Sequence, residues 1–131
     1  MFNKPVTFSD EHSSSPHILL GCDSPNTCGS IHRLIEDAGF RVQFAGDYSS
    51  VEILLFEHDV VLLDVSAPEA VEAAVETALR LKRRNSDQFV GYLADPLLDN
   101  SGLAGDAIFP RSPNNLPEAL RSFFLRETRI I

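Results

Sequence analysis

The sequence has 131 residues, 44% hydrophobic content and a formal net charge of −8, with 11 Lys and Arg against 19 Asp and Glu. This length fits one domain, and its longest apolar runs are far too short to span a bilayer. The acidic balance does not favour contact with a nucleic-acid backbone. Residues 1–16 are polar and lack the apolar core of a secretion signal, so we expect a disordered leader on a cytoplasmic protein.

The first half of the chain predicts two strands and two helices. His17–Cys22 is a short apolar run, suited to a strand buried on both faces. A turn beginning at Asp23 leads into a helix that Gly39 ends. The apolar residues of this helix recur at helical spacing: Ile31, Leu34, Ile35 and Ala38. A second strand, residues 40–45, precedes a short helix that Ser49 and Ser50 are expected to cap.

The second half continues the alternation. Residues 60–64 form the clearest strand, and a helix with a continuous apolar stripe follows the loop over residues 65–68. Residues 89–93 predict a fourth strand, but the prolines and glycines in residues 95–105 leave room only for a ragged helix. A short fifth strand, residues 107–109, precedes the last helix. The apolar face predicted for that helix comprises Leu116, Ala119, Leu120, Phe123 and Phe124.

Five βα units of this size predict an α/β fold, a doubly wound five-stranded parallel sheet with helices on both faces. We assign this domain to residues 17–127 and the start of a linker or tail to residues 128–131. In such folds the working site lies at the carboxyl ends of the strands. The residues expected there are Cys22, Asp23, Asp64, Ser66, Leu93, Ala94 and Arg111.

Two segments resemble the receiver domains of response regulators. Residues 18–25 are similar to the first receiver strand, which usually ends in two adjacent acids. Residues 58–68 are similar to the third strand and its loop, in which an aspartate accepts phosphate and a proline follows four residues later. Asp64 and Pro68 match that spacing. The resemblance covers about residues 18–124 and implies the flavodoxin-like, CheY-like fold.

The resemblance also implies a role for each matched residue. Asp64 occupies the position of the phospho-acceptor, whose carboxylate attacks a phosphoryl group. Since the two anions repel, a hard divalent cation such as Mg²⁺ is implied between them. Its implied ligands are Asp23, Asp64 and the backbone carbonyl of Ser66.

Three positions depart from the receiver pattern. Cys22 stands where the first acid is expected, and Leu93, before Ala94, stands where a Thr or Ser is expected. Leucine cannot donate a hydrogen bond to phosphate. Arg111 aligns with the usual phosphate-binding lysine, although an alignment one residue further places Ser112 there and leaves no cation.

These departures predict a degenerate receiver, or pseudo-receiver. We expect Asp64 to remain acceptor-like, Mg²⁺ to bind weakly, and switching by phosphorylation to be weak or absent. Such a domain is not an enzyme; it regulates an output domain or a partner in a phosphorelay. The implied partners are a sensor histidine kinase or another regulatory protein, and a homodimer is an open alternative.

Two other functions fit parts of the sequence. A cysteine that ends a first strand resembles the phospho-cysteine subunits of sugar phosphotransferase systems, with Cys22 as the nucleophile. In a cytoplasmic chain we expect Cys22 and Cys28 to be free thiols rather than a disulfide. Alternatively, the chain is a purely structural interaction module in which the acids have no chemical role.

Overall fold

The computed structural model describes residues 16–23, 29–54, 59–95 and 106–125. Its strands are β1 (His17–Cys22), β2 (Arg41–Ala45), β3 (Val60–Val65), β4 (Phe89–Ala94) and β5 (Ala107–Pro110). The described helices are α1 (Gly29–Asp37), α2 (Tyr48–Leu54), α3 (Val71–Arg84) and α4 (Leu116–Leu125), with a 3-10 turn at Pro68–Ala70 before α3.

The strands form one sheet in the order β2-β1-β3-β4-β5, and every neighbouring pair is parallel. The prediction of a doubly wound five-stranded parallel sheet is therefore confirmed. The ragged helix expected in residues 95–105 lies, except for Asp95, outside the described residues. So do the leader, except for Pro16, and the C-terminal tail.

Two apolar clusters cover the two faces of the sheet. One lies under α2 and α3 and includes Tyr48, Val51 and Leu81. The other lies under α1 and α4 and includes Ile35 and Leu120. Alternate residues of β1, β3 and β4 enter alternate clusters, so these central strands are buried on both sides, as a parallel sheet requires.

The helix α4 covers one face of the sheet with its buried Leu116 and Leu120, and its Phe123 lies toward β4 and β5. The ring of Phe123 lies 5.2 Å from that of Phe109, centroid to centroid, and 5.6 Å from that of Phe89. The prediction that Phe123 belongs to the core was wrong, because 39% of the surface of this residue is exposed to solvent. In the part of the chain that the structure describes, β5 is the edge strand beside these aromatic rings.

An aspartate side chain secures the beginning of β5. The Asp106 carboxylate accepts a hydrogen bond from the backbone N–H of Val90 at 2.8 Å and pairs with Lys82 Nζ at 2.7 Å. Burial acts to raise the pKa of Asp106, but these two contacts outweigh it and leave the pKa below its ordinary value. The carboxylate is thus held charged between β4, α3 and β5.

Asp47 caps the helix α2. Its Oδ1 accepts hydrogen bonds from the backbone N–H of Ser50 at 2.9 Å and from the hydroxyls of Ser49 and Ser50. The sequence-based prediction had named the serines as the cap. The aspartate takes that role because it directly precedes the helix and its carboxylate reaches the exposed N–H groups of the first turn.

Candidate functional site at the carboxyl end of the sheet

The predicted site residues meet at one edge of the sheet because the strand register aligns them. Cys22 on β1 pairs with Asp64 on β3, and Asp64 pairs with Leu93 on β4. Ala94 pairs with Pro110, the last residue of β5, so Arg111 emerges at the same edge. All-parallel strands therefore place the acceptor position, its two neighbours and the cation in one group.

The central contact of the site is a bidentate ion pair between Arg111 and Asp64. Arg111 Nε lies 2.6 Å from Asp64 Oδ1, and Arg111 Nη2 lies 3.2 Å from Asp64 Oδ2. The Asp64 side chain is fully buried, while that of Arg111 is 20% exposed. Of the two alignments considered for this segment, the one that places Arg111 at the site matches this geometry.

Burial and pairing with Arg111 have opposite effects on the pKa of the Asp64 carboxyl. Burial raises the pKa of Asp64, and the hydrogen bond and charge of Arg111 oppose that rise without cancelling it. In return, the hydrogen bond from Arg111 to Asp64 raises the pKa of Arg111. The guanidinium therefore stays charged, and both carboxylate oxygens of Asp64 are engaged by it.

Asp23 lies beside this pair and is bound to the β3–α3 loop. The hydroxyl of Ser66 donates a hydrogen bond to Asp23 Oδ2 at 2.6 Å. The sequence had indicated Ser66 for its backbone carbonyl; the contact in the structure comes from its side chain. Burial is the main cause of the raised pKa of Asp64, and the negative charge of Asp23 adds to that rise.

Tyr48, at the start of α2, is a site residue that the sequence analysis missed. Its hydroxyl donates a hydrogen bond to the backbone carbonyl of Asp64 at 2.8 Å. Burial, followed by the charges of Asp23 and Asp64, raises the pKa of Tyr48 well above its ordinary value, so the hydroxyl remains a donor. The ring of Tyr48 also forms one wall of a cavity of about 310 Å³ that includes Asp23 and Glu69.

No family model and no curated protein matches this sequence. Solved structures do match the fold. A LuxR-family DNA-binding response regulator from Silicibacter pomeroyi superposes with a TM-score of 0.61 at 23% identity, over 84% of this chain and 91% of that one. A response regulator receiver domain protein from Clostridium thermocellum gives 0.58 at 20% identity, over 88% and 98%. The pseudo-receiver domain of the CikA protein gives 0.54 at 22% identity, over 85% and 98%.

This chain has the CheY-like receiver fold. The sequence resemblance and the strand order agree on it. The receiver fold places Asp64 at the end of the third strand and Asp23 just beyond the first, which are the positions that the resemblance implied. Among the described residues, none of the helices is both long and apolar enough to cross a membrane.

Two of the implied Mg²⁺ ligands, Asp23 and Asp64, have other partners in this arrangement. Mg²⁺ usually keeps several waters and binds through one or two carboxylates, and here both Asp64 oxygens bind Arg111 while Asp23 Oδ2 accepts from Ser66. Within the described ranges, no group of three or more His, Cys, Asp or Glu side chains is placed to hold a metal ion. The Arg111 guanidinium places a positive charge directly beside the Asp64 carboxylate.

Cys22 differs from the sequence-based expectation. We predicted a free thiol, but the Cys22 sulfur is disulfide-bonded, and the residue is fully buried among apolar side chains. The expectation rested on the reducing cytoplasm rather than on spatial proximity. Cys28 lies outside the described residues.

Leu93 and Ala94 occupy the end of β4 and offer no polar side chain to the site. Leu93 is fully buried in the cluster under α1 and α4, and Ala94 is 2% exposed in the opposite cluster. The next residue, Asp95, was not singled out from the sequence. Its charge acts to raise the pKa values of Asp64 and Arg111, so it adds a third carboxylate to the surroundings of the ion pair.

Proposed function

We propose that this chain is a pseudo-receiver in a two-component phosphorelay. It regulates an output domain or a partner protein through protein–protein contacts, with Asp64 at the phospho-acceptor position. Phosphorylation contributes weakly or not at all to its state. The bidentate Arg111–Asp64 ion pair carries this proposal, because it occupies the group that phosphorylation would need.

A carboxylate must present a free oxygen to attack a phosphoryl group. In this chain both oxygens of Asp64 bind Arg111, and Asp64 is fully buried. Breaking such a pair leaves a buried charge without compensation, at a cost of several kcal/mol. The same pair also offsets the charge of Asp64, which weakens the contribution of this carboxylate to Mg²⁺ binding.

The residue at the end of β4 supports the same conclusion. A ligand shifts a conformational equilibrium only through contacts that differ between the two states. In the receiver pattern a hydroxyl at this position supplies such a contact with phosphate, whereas Leu93 has an apolar, fully buried side chain. A phosphoryl group on Asp64 would gain no hydrogen bond from it.

The structural neighbours support the signalling context. They include response regulators and a domain described as a pseudo-receiver. From this likeness we infer that the partners are a sensor histidine kinase or another regulatory protein, that the domain acts in the cytoplasm, and that it is a signalling module rather than an enzyme. A homodimer is a further form that this proposal accommodates.

An NMR titration tests the proposal directly. The ¹⁵N-labelled protein is titrated with Mg²⁺ alone and then with Mg²⁺ and beryllofluoride, which mimics an aspartyl phosphate. We expect small amide shifts confined to the loops around Asp64. Large shifts that spread from Asp64 across β4 to β5 would contradict the proposal.

The variant Leu93→Thr combined with Arg111→Lys serves as a matched control. It restores the hydroxyl and the lysine of the receiver pattern and removes the bidentate pair. We expect this variant to respond to beryllofluoride more strongly than the native chain. If neither protein responds although both are folded, the block lies elsewhere than in these two residues.

The two alternatives make different predictions. For the phospho-cysteine reading, blocking cysteines would abolish phosphate transfer while Asp64→Asn would not; the buried, disulfide-bonded Cys22 gives this reading no support. For the structural module, Mg²⁺ at millimolar concentration would cause no shifts at all. Partner binding that is unaffected by Asp64→Asn would also favour the structural module.

A further inference from the structure

We propose that Tyr48 is a positioning residue that couples the Arg111–Asp64 pair to the helix α2. It acts on the backbone of Asp64 rather than on its carboxylate. The inference rests on the proposed function, in which the ion pair sets the state of the domain. It adds the route by which that state reaches the surface of the molecule.

The hydroxyl of Tyr48 supplies a hydrogen bond where the pairing of β1 with β3 ends. β1 ends at Cys22, the register partner of Asp64, so β1 provides no further paired residue beyond this point. The hydroxyl of Tyr48 donates to the Asp64 carbonyl there at 2.8 Å, in a buried setting. A buried carbonyl that loses its donor is costly, so this contact constrains the peptide group of Asp64.

Gly21 allows α2 to approach closely enough for this contact. A Cβ atom added at Gly21 would lie 2.5 Å from Val51 Cγ2 and 3.9 Å from Cδ1 of Tyr48. Any larger residue would therefore push α2 away from β1. The glycine on β1 and the tyrosine on α2 act together to bring the hydroxyl to the strand end.

The contact links the two layers of the fold. Asp64 has two register partners in the sheet, Cys22 on β1 and Leu93 on β4. The side chains of both partners lie in the cluster under α1 and α4. Tyr48 belongs to the opposite cluster, under α2 and α3. A change in the Arg111–Asp64 pair that turns the Asp64 peptide group is therefore transmitted through the sheet to α2.

An ion pair then connects α2 to α3. Glu52 Oε2 lies 2.7 Å from Arg80 Nε, and Glu52 Oε1 lies 3.4 Å from Arg84 Nη1. Because of these contacts, α2 and α3 are expected to respond together. Leu93 removes the usual contact on β4, so the face formed by α2 and α3 is the one that reports the state of Asp64.

A double-variant NMR experiment tests this coupling. Arg111→Lys keeps a cation and disturbs the bidentate geometry, and its effect on the amide shifts of residues 48–54 is measured with and without Tyr48→Phe. We expect Tyr48→Phe to reduce that effect by at least about threefold. An effect of equal size in both backgrounds would overturn the proposal, since a merely structural Tyr48 would lower stability without changing the coupling.

Ser49→Ala provides the matched control, because it removes a hydroxyl of the same helix that donates to Asp47 rather than to Asp64. We expect it to leave the Arg111→Lys effect at α2 unchanged. If Tyr48→Phe does not fold, the hydroxyl proton of Tyr48 is followed in the otherwise native chain. That proton must shift with Arg111→Lys, and an unmoved signal would overturn the proposal.

These outcomes are separate from those of the beryllofluoride titration. A protein that responds fully to beryllofluoride and still shows the Tyr48-dependent effect would disprove the pseudo-receiver function and retain the coupling. A protein that ignores beryllofluoride and lacks the effect would retain the function and disprove the coupling.

Discussion

Replacing Arg111 by methionine leaves a buried carboxylate without its cation. Asp64 is fully buried and receives two hydrogen bonds from the guanidinium, at 2.6 Å and 3.2 Å. Removing one partner of a buried pair costs about 3–5 kcal/mol. Because the Arg111 side chain is 20% exposed and water can approach from its side, we expect a loss near the lower limit, about 3 kcal/mol at neutral pH.

The loss should depend on pH with a defined sign. Burial raises the folded-state pKa of Asp64 above its ordinary value of 3.8, and Arg111 opposes that rise. Without Arg111 the rise is larger. A carboxyl with a raised folded-state pKa loses stability as pH increases from its unfolded to its folded pKa, with a slope of at most about 1.4 kcal/mol per pH unit. The variant should therefore be closest to the native protein in acid.

Urea unfolding at about pH 5 and about pH 8 measures both effects. Adding Asp64→Asn to Arg111→Met should remove most of the extra pH dependence, because the buried charge is gone. Arg33→Met, which changes an exposed arginine on α1, should change stability by less than about 0.5 kcal/mol. A loss below about 1 kcal/mol for Arg111→Met, or the same loss at both pH values, would refute the reasoning.

Three further variants test other contacts by urea unfolding. Gly21→Ala should cost about 1–3 kcal/mol, because its Cβ would lie within 2.5 Å of an α2 side chain, whereas Gly29→Ala meets nothing within 4 Å. Glu52→Gln should cost about 0.5–1 kcal/mol at neutral pH, since its hydrogen bond with Arg80 lowers the pKa of Glu52. That contribution is present above the ordinary value of 4.5 and is lost as pH falls through the folded pKa. Leu93→Thr should cost about 2–4 kcal/mol by burying a hydroxyl among apolar side chains.

For each of these variants, one result would contradict the reasoning. Equal stability of Gly21→Ala and Gly29→Ala would mean that α2 moves away from β1 at little cost. A Glu52→Gln effect that persists in acid would indicate a packing loss rather than a charge effect. Leu79→Thr is the control for Leu93, since Leu79 is 48% exposed, and equal costs at the two positions would contradict the burial argument.

The five-stranded parallel sheet could be predicted because local patterns in the sequence indicate its strands and crossovers. Apolar runs such as Val60 to Leu63 read as buried strands, and the helical stripes between them force parallel crossovers. The end of each strand then predicts which residues meet, which is why Asp23, Asp64 and Arg111 could be named from sequence. Phe123 was misplaced because periodicity shows which residues share a helix face but not how much of that face is covered by the rest of the fold.

The contacts that modify the site could not be predicted in this way. Nothing in the local pattern of Tyr48 indicates that its hydroxyl reaches Asp64, because that contact depends on how closely α2 packs over Gly21. The sequence suggested Arg111 as a phosphate ligand, yet in the structure it binds the acceptor itself. The sequence indicated that a cation lies at this position, but the group that the cation contacts depends on three-dimensional distances.

The ion pair also has a mechanical consequence for β5. Among the described residues, this strand has four residues and pairs with one neighbour, β4, so few backbone contacts hold it to the sheet. Arg111 directly follows it and reaches past β4 to Asp64 on β3, while Asp106 directly precedes it and is tied to Lys82 on α3. β5 is thus held by an ion pair at each end. Loss of either ion pair should release the strand and expose an unpaired edge of β4 to other chains.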